Sequence, residues 1–263
     1  MTAPIPRDIP DLPAVPRKPP LLPAPVPATA VVPPVPHPLA ALFRLLAALT
    51  AAAGVTLELL LGSPARAASY FSVQAGALLA LVFVISAHRA WTARRPLPSA
   101  VTGATLLYAV ISALAYHLLL AHTAPPFSMT GATTPPAPWH SEWIAAQLLH
   151  KAAPAAAVLD WLLLTTPGRL HLRQAAAWLL YPLAYLAFTL IRGELLLPGD
   201  PGRYLYPFLN VEQHGYRGVL ANALLLGLAI YALAILLIAL DHARPNPIRR
   251  RAKTGFRLRP PVG

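Results

Sequence analysis

The sequence contains no cysteine and little charge, and each absence excludes a class of protein. Without a cysteine among its 263 residues, the chain has no disulfide framework, no thiolate metal site and no thiol nucleophile. Only 11% of the residues are charged, whereas about a quarter is usual in soluble domains. The low charge therefore excludes an ordinary soluble domain.

Apolar residues occur in blocks that are long enough to cross a lipid bilayer. The chain is 56% hydrophobic and has a mean hydropathy of +0.55. About 20 apolar residues in helical form cross the hydrocarbon core of a bilayer. The sequence therefore predicts an all-α polytopic membrane protein with six transmembrane helices, spans one to six, over residues 39–61, 70–90, 99–121, 142–164, 174–196 and 216–240.

Basic residues are distributed unevenly among the segments that flank the predicted spans. The connections on one side carry only Arg66 and Arg203. The other side holds Arg7, Arg17, Lys18, Arg89, Arg94, Arg95, Arg169, Arg173, Arg244, Arg249, Arg250, Arg251, Lys253, Arg257 and Arg259. Because basic segments stay on the cytoplasmic side, both termini are predicted to be cytoplasmic. This asymmetry accounts for the net charge of +12, so a nucleic-acid partner is not indicated.

The two ends of the chain differ from its apolar centre. Residues 1–38 hold 14 prolines, a composition typical of a disordered or polyproline II tail. Residues 39–241 form the six-helix domain, and 242–263 form a basic tail that is expected to contact anionic lipid headgroups. Arginine greatly outnumbers lysine, as in GC-rich bacterial genes, so a bacterial plasma membrane is the predicted location. Nothing in the sequence specifies the oligomeric state.

Polar side chains from every part of the domain fall in its predicted outer half. His150 shares one face of span four with Gln147, and Tyr181 and Tyr185 share a face of span five. A common depth predicts a polar chamber that opens toward the outer leaflet. Polar contacts between helices, worth about 0.6 kcal/mol on average, are the alternative explanation for any one residue. The residues at this common depth are Glu58, Ser72, Gln74, His117, His150, Arg192, Glu194, Asn210 and Asn222, and Gln147, Tyr181 and Tyr185 are expected to line the same pocket.

Several short motifs resemble those of a known family. They are the runs from His150 to Pro154 and from Leu159 to Trp161, Trp178 to Tyr185, Arg192-Gly193, Tyr206 to Val211, Gly215-Tyr216, and Tyr70 to Gln74. With these motifs the chain resembles bacterial members of the androgen-induced-protein-like family of six-span integral membrane proteins. The resemblance covers about residues 39–241 and leaves both tails outside.

The resemblance implies a hydrolase of lipid esters. Animal relatives are described as hydrolases of fatty acid esters of hydroxy fatty acids that use a threonine and a histidine. Carried over to this chain, the histidine is His150 and the threonine position holds Ser72. A histidine base activates a hydroxyl nucleophile near neutral pH. Ser72 is equally well explained as a helix N-cap, and His150 as a histidine that hydrogen-bonds between helices.

Further residues have supporting roles in this hypothesis. Gln74, Asn210 or Arg192 would donate a hydrogen bond to the oxyanion, together with helix N-termini. Glu58 would orient the imidazole of the catalytic histidine.

Two other classes of function stay open. Glu58, His150 and Asp160 inside spans, with Pro154 and Pro182, are also typical of a proton-coupled or small-molecule transporter. A membrane protein that binds a lipid ligand without chemistry is the other alternative. The histidines have no spacing of metal or haem ligands, so no metal and no cofactor are expected.

Overall fold

Long apolar helices dominate the part of the chain that the computed structural model describes, residues 35–123, 127–130, 134, 136–198, 200 and 202–245. Nine α-helices and no β-strand occur in these residues, which confirms the all-α prediction. The predicted tails fall almost wholly on residues 1–34 and 246–263, outside the described ranges. The helices are α1 (Pro38–Leu61), α2 (Pro64–Ala68), α3 (Phe71–Trp91), α4 (Ser99–Ala115), α5 (Ser141–Gln147), α6 (Ala153–Leu159), α7 (Leu172–Trp178), α8 (Leu180–Leu195) and α9 (Val211–Ala243).

Five helical stretches are long and apolar enough to cross a membrane. They correspond to predicted spans one, two, three, five and six, and their ends agree with the predicted ends to within a few residues. Their bounds are Pro38–Leu61, Phe71–Trp91, Ser99–Leu120, Leu172–Leu195 and Val211–Ala243. These stretches indicate an integral membrane protein.

The stretch predicted as span four is helical throughout but alternates between two helix types. The α-helices α5 and α6 are each followed by a π-helical turn, Leu148–Ala152 and Asp160–Leu164. Pro154 lacks an N–H group, so the carbonyl of His150 cannot receive the usual helical hydrogen bond. In the first π turn, the N–H of Ala153 donates to the Leu148 carbonyl five residues earlier. His150, Lys151 and Asp160 make this stretch less apolar than the other five.

Small residues allow the first, second and fourth helical stretches to approach closely. The small residues Ala47, Ala51 and Gly54 of α1 are all buried. A Cβ atom added to Gly54 would lie 3.0 Å from Leu149 Cδ1 and 3.4 Å from the Leu149 backbone nitrogen. This close packing fixes the position of the helical turn that carries His150.

The connections divide the bundle into two ends. One end holds the described residues of the two long connections, 121–123, 127–130, 134 and 136–140 in the first and 196–198, 200 and 202–210 in the second, and we call it the long-connection end. The other holds the 92–98 and 165–171 connections, and we call it the short-connection end. Arg192 fixes one long connection, because its Nη1 donates to the carbonyls of Gly202 at 2.7 Å and Arg203 at 3.0 Å.

Helix α9 contains one non-helical residue near its start. Gly215 has φ 64° and ψ 167°, a left-handed conformation that glycine adopts without steric cost. A short turn from Val211 therefore precedes the long straight part of α9. Asn210 caps this turn by accepting a hydrogen bond from the Glu212 N–H at 2.9 Å.

Candidate functional site

Ser72 is the second residue of α3 and is buried beneath the long connections. The free N–H groups of a helix start attract acceptors. Here the hydroxyl of Tyr185 accepts a hydrogen bond from the Phe71 N–H at 3.2 Å and donates to the Ser69 carbonyl at 3.0 Å. A tyrosine from α8 therefore caps α3, and the N-cap position itself is Tyr70, not Ser72.

A second tyrosine contacts Ser72 from the 196–210 connection. Tyr206 is buried, and its hydroxyl interacts with Ser72 at the start of α3. Burial raises the pKa of the Tyr206 hydroxyl, so the phenol is neutral at physiological pH and remains a hydrogen-bond donor. The Ser72 hydroxyl also lies 3.6 Å from Met129 Sδ, a weak acceptor.

His150 lies in the π turn of the fourth stretch with only 2% of its surface exposed. Its Nδ1 is 3.2 Å from the carbonyl of Ala146. A hydrogen bond to a carbonyl requires the proton on Nδ1, which leaves Nε2 as the basic nitrogen of the neutral ring. Among the described residues, Nε2 has no hydrogen-bond partner.

Ser72 and His150 line the same cavity, which has a volume of about 580 Å³. Most of its wall is apolar and comes from α4, α8, α9 and the long connections. A cavity of this size with a few polar groups is typical of a small-molecule site. The polar side chains in its wall are Ser72, Ser112, Tyr116, His150, Tyr185, Tyr206 and Tyr231.

Ser112 carries a fully buried hydroxyl in the cavity wall. Its side chain is 5% exposed, and its Oγ has no hydrogen-bond partner in the described part of the chain. A buried hydroxyl without a partner costs free energy. A ligand carbonyl would accept a hydrogen bond from the Ser112 hydroxyl, and a ligand hydroxyl would donate one to the free Nε2 of His150.

The cavity is open on the side where α8 and α9 face away from the bundle. Its wall there includes Leu183, Leu220, Leu224 and Leu228, each more than half exposed. In a membrane, these side chains would contact lipid tails. The opening therefore allows an apolar chain to enter sideways, while its polar end reaches the serine, tyrosine and histidine groups.

Only some of the site residues that the sequence predicts lie in the wall of this cavity. Of the proposed supporting residues, Tyr185 lines the cavity and the other six do not. The Tyr181 hydroxyl donates to Gln74 Oε1 at 2.6 Å, which links α8 to α3. Arg192 and Asn210 hold the long connection and the start of α9.

The last two supporting residues lie on α1 and α5. Glu58 is buried near the end of α1, where it interacts electrostatically with Glu142. No hydrogen bond joins Glu58 to His150, whose Nδ1 contacts a carbonyl instead. Gln147 is half-buried at the end of α5. No direct hydrogen bond between Ser72 and His150 occurs in the described residues either.

Tyr206 and Met129 are contacts of Ser72 that the sequence did not indicate as partners. Both lie in long connections, where no helical period relates them to a distant residue. Ser112 and Tyr116, in contrast, belong to a stripe on span three that predicts inward-facing hydroxyls, Thr105, Tyr108, Ser112 and Tyr116. Burial of the first three confirms this stripe.

Metal-ligand side chains do not cluster in the described ranges, where no group of three histidine, aspartate or glutamate residues comes together. Known family models, curated proteins and solved structures yield no match to the chain. The family resemblance therefore stays a prediction.

Proposed function

We propose that the protein is a membrane-embedded hydrolase of lipid esters, with Ser72 as nucleophile and His150 as base. One observation carries the proposal: a buried serine and a buried histidine line one apolar cavity that opens toward the lipid. The polar groups at its long-connection end suit an ester carbonyl, and the leucine-rich wall suits an acyl chain. The preferred substrate class is a fatty acid ester of a hydroxy fatty acid, following the family resemblance.

The proposed topology has six spans with both termini in the cytoplasm. The helical stretch 141–164 is the sixth spanning element, in addition to the five that are apolar enough by themselves. Arg89, Arg94, Arg95, Arg169 and Arg173 flank the short-connection end, which the positive-inside rule assigns to the cytoplasm. The cavity would then open to the outer half of a bacterial plasma membrane.

In the proposed reaction, Ser72 Oγ attacks the ester carbonyl carbon and its proton moves to His150 Nε2. The ester C–O bond breaks, and the proton passes from the imidazole to the leaving alkoxide. Water then attacks the acyl-serine with the same proton transfers and releases the fatty acid. The Ser112 hydroxyl is the proposed donor to the oxyanion, since its Oγ has no partner among the described residues. The Ser72 hydroxyl must turn from Met129 toward His150 for the first step.

The test is hydrolysis of a panel of long-chain and branched fatty acid esters by the purified protein in lipid nanodiscs. Ser72→Ala and His150→Gln should each reduce the rate at least a hundredfold with folding unchanged. Ser69→Ala and His117→Gln are the matched controls, because these residues lie nearby but outside the cavity wall. A fluorophosphonate probe should label the wild type and spare Ser72→Ala; equal labelling of the two would contradict the proposal.

A second candidate function is binding of an acyl-chain ligand without hydrolysis. The contacts of Ser72 favour it, because its hydroxyl bonds to Met129 Sδ in the described part of the chain and not to His150. In this case a photoreactive fatty acid ester would crosslink to the cavity wall and stay intact. If the ester crosslinks but no fatty acid is released, we would conclude that the protein binds the ester without hydrolysing it.

A further inference from the structure

A second cavity, of about 370 Å³, lies at the short-connection end of the bundle. It is separate from the first and shares no lining residue with it. Its wall comes from α1, α3, α4, α9, the second half of the 141–164 stretch and the connections that begin at residues 92 and 165. Five basic side chains line it: His37, Arg44, Arg89, Arg94 and Arg169.

The two carboxylates in this cavity wall are already satisfied within the protein. Asp160 accepts a hydrogen bond from Arg44 Nε at 2.7 Å, and the two form an ion pair between the fourth stretch and α1. Asp241 accepts from Trp161 Nε1 at 3.1 Å and forms an ion pair with Arg244. It also accepts from the backbone N–H groups of residues 169 and 170, at 2.8 and 3.0 Å.

Three guanidinium groups are left without a carboxylate. Arg89 donates one hydrogen bond, from Nη1 to the Arg95 carbonyl at 3.1 Å, and keeps its remaining donors. The side chains of Arg94 and Arg169 have no hydrogen bond or ion pair in the described part of the chain. Arginines collected in one cavity repel each other unless an anion lies between them. Planar guanidinium groups pair well with phosphate oxygens.

We propose that this cavity binds a phosphate group, and that its source is the headgroup of an anionic phospholipid. The short-connection end is where spanning helices end, and therefore where headgroups lie in a bilayer. Phe83, Leu97 and Leu106 add an apolar wall for the adjoining glycerol and chain carbons. Basic pockets between helices at a cytoplasmic surface suit anionic headgroups. The inference does not depend on the hydrolase proposal, because no residue of the first cavity takes part.

The test is native mass spectrometry of the detergent-solubilised full-length protein titrated with dioleoyl phosphatidylglycerol. Dioleoylglycerol, with the same chains and no phosphate, is the negative ligand. Arg94→Gln combined with Arg169→Gln should weaken phosphatidylglycerol binding at least tenfold. The control combines Arg95→Gln with Arg173→Gln, which removes the same charge at the same end from side chains outside the cavity wall. The control should bind as the wild type does.

A second variant and a second ligand complete the test. Arg94 is exposed, so Arg94→Glu should fold and should weaken binding further by repelling the phosphate. Competition by inorganic phosphate or glycerol 3-phosphate at micromolar concentration, lost in the double variant, would support the phosphate site and identify a free phosphate compound as its source. Equal binding by wild type and the Arg94/Arg169 variant, or equal loss in both double variants, would overturn the proposal.

Discussion

The imidazole of His150 stacks on the phenol ring of Tyr116, with the ring centroids 4.1 Å apart and the planes inclined by 20°. Both residues belong to π-helical turns, Tyr116–Leu120 and Leu148–Ala152. Such turns are rare and occur frequently at functional sites. The extra residue in each turn shifts its side chain from the regular helical position, and the two shifted rings meet in the wall of the first cavity.

The stack predicts an energetic coupling between the two rings. Replacing Tyr116 and His150 by leucine, singly and together, should give a coupling free energy of about 0.5–1.5 kcal/mol. The measurement is the free energy of unfolding in detergent for the four proteins of the cycle. Tyr116→Phe keeps the ring and should behave as the wild type. Strictly additive effects of the two leucine substitutions would mean that the stack contributes nothing.

Gly54→Val is predicted to destabilise the protein by about 1–3 kcal/mol, as overpacking does in other cores. The added carbon atoms would meet Leu149 Cδ1 and Leu148 Cβ, and the Leu149 backbone cannot move aside without displacing His150. Thermal unfolding in nanodiscs measures the loss. Ala53→Val, at the exposed neighbouring position of α1, is the control and should have no measurable effect. Equal melting temperatures for both variants would show that the contact between α1 and the fourth stretch is loose.

Asp241→Asn is predicted to cost about 3–5 kcal/mol of stability, the usual effect of breaking a buried ion pair. The Asp241 side chain is 2% exposed, and an amide would present an NH2 group to donors that need an acceptor. Glu212→Gln is the matched control, because its ion pair with Arg203 is 45% exposed on the glutamate side and is worth less than about 1 kcal/mol. Denaturant titration of both variants tests the contrast. A small loss of stability in Asp241→Asn would mean that water reaches the hydrogen-bond partners of Asp241.

The all-helical fold and the approximate ends of five spans followed from the sequence, because apolar block length alone identifies a spanning helix. His150 and the hydroxyl stripe of the third span were also predictable, since the helical period states which side chains share a face. Ser72 was predicted through the family resemblance, and its role stays a prediction. Its location in the same cavity wall as His150 depends on tertiary packing, which the periodicity of single helices does not contain.

The contacts that the sequence did not predict join segments that are far apart along the chain. Asp241 lies near the end of an apolar helix, and its partners Trp161 and Arg169 are about 70 to 80 residues away along the chain. Tyr206 contacts Ser72 from an irregular connection. Of the three π turns in the described residues, Tyr116–Leu120, Leu148–Ala152 and Asp160–Leu164, only Leu148–Ala152 directly precedes Pro154. No local sequence pattern specifies these relationships, because several arrangements of the helices would satisfy the same hydrophobic periodicity.

Gly227→Phe tests the first cavity as a ligand site. Gly227 lines the cavity on α9, and a Cβ added there meets no heavy atom within 4 Å. We therefore expect the cavity, with its volume of about 580 Å³, to accept a phenyl ring, and the melting temperature should stay the same or rise. Crosslinking of a photoreactive fatty acid ester should fall at least tenfold, because the ring fills space that the acyl chain needs. Leu225→Phe, on the exposed face of the same helix and outside the cavity wall, should leave crosslinking unchanged. If Gly227→Phe crosslinks as well as the wild type, the ester binds elsewhere, and the cavity loses its role in both proposed functions.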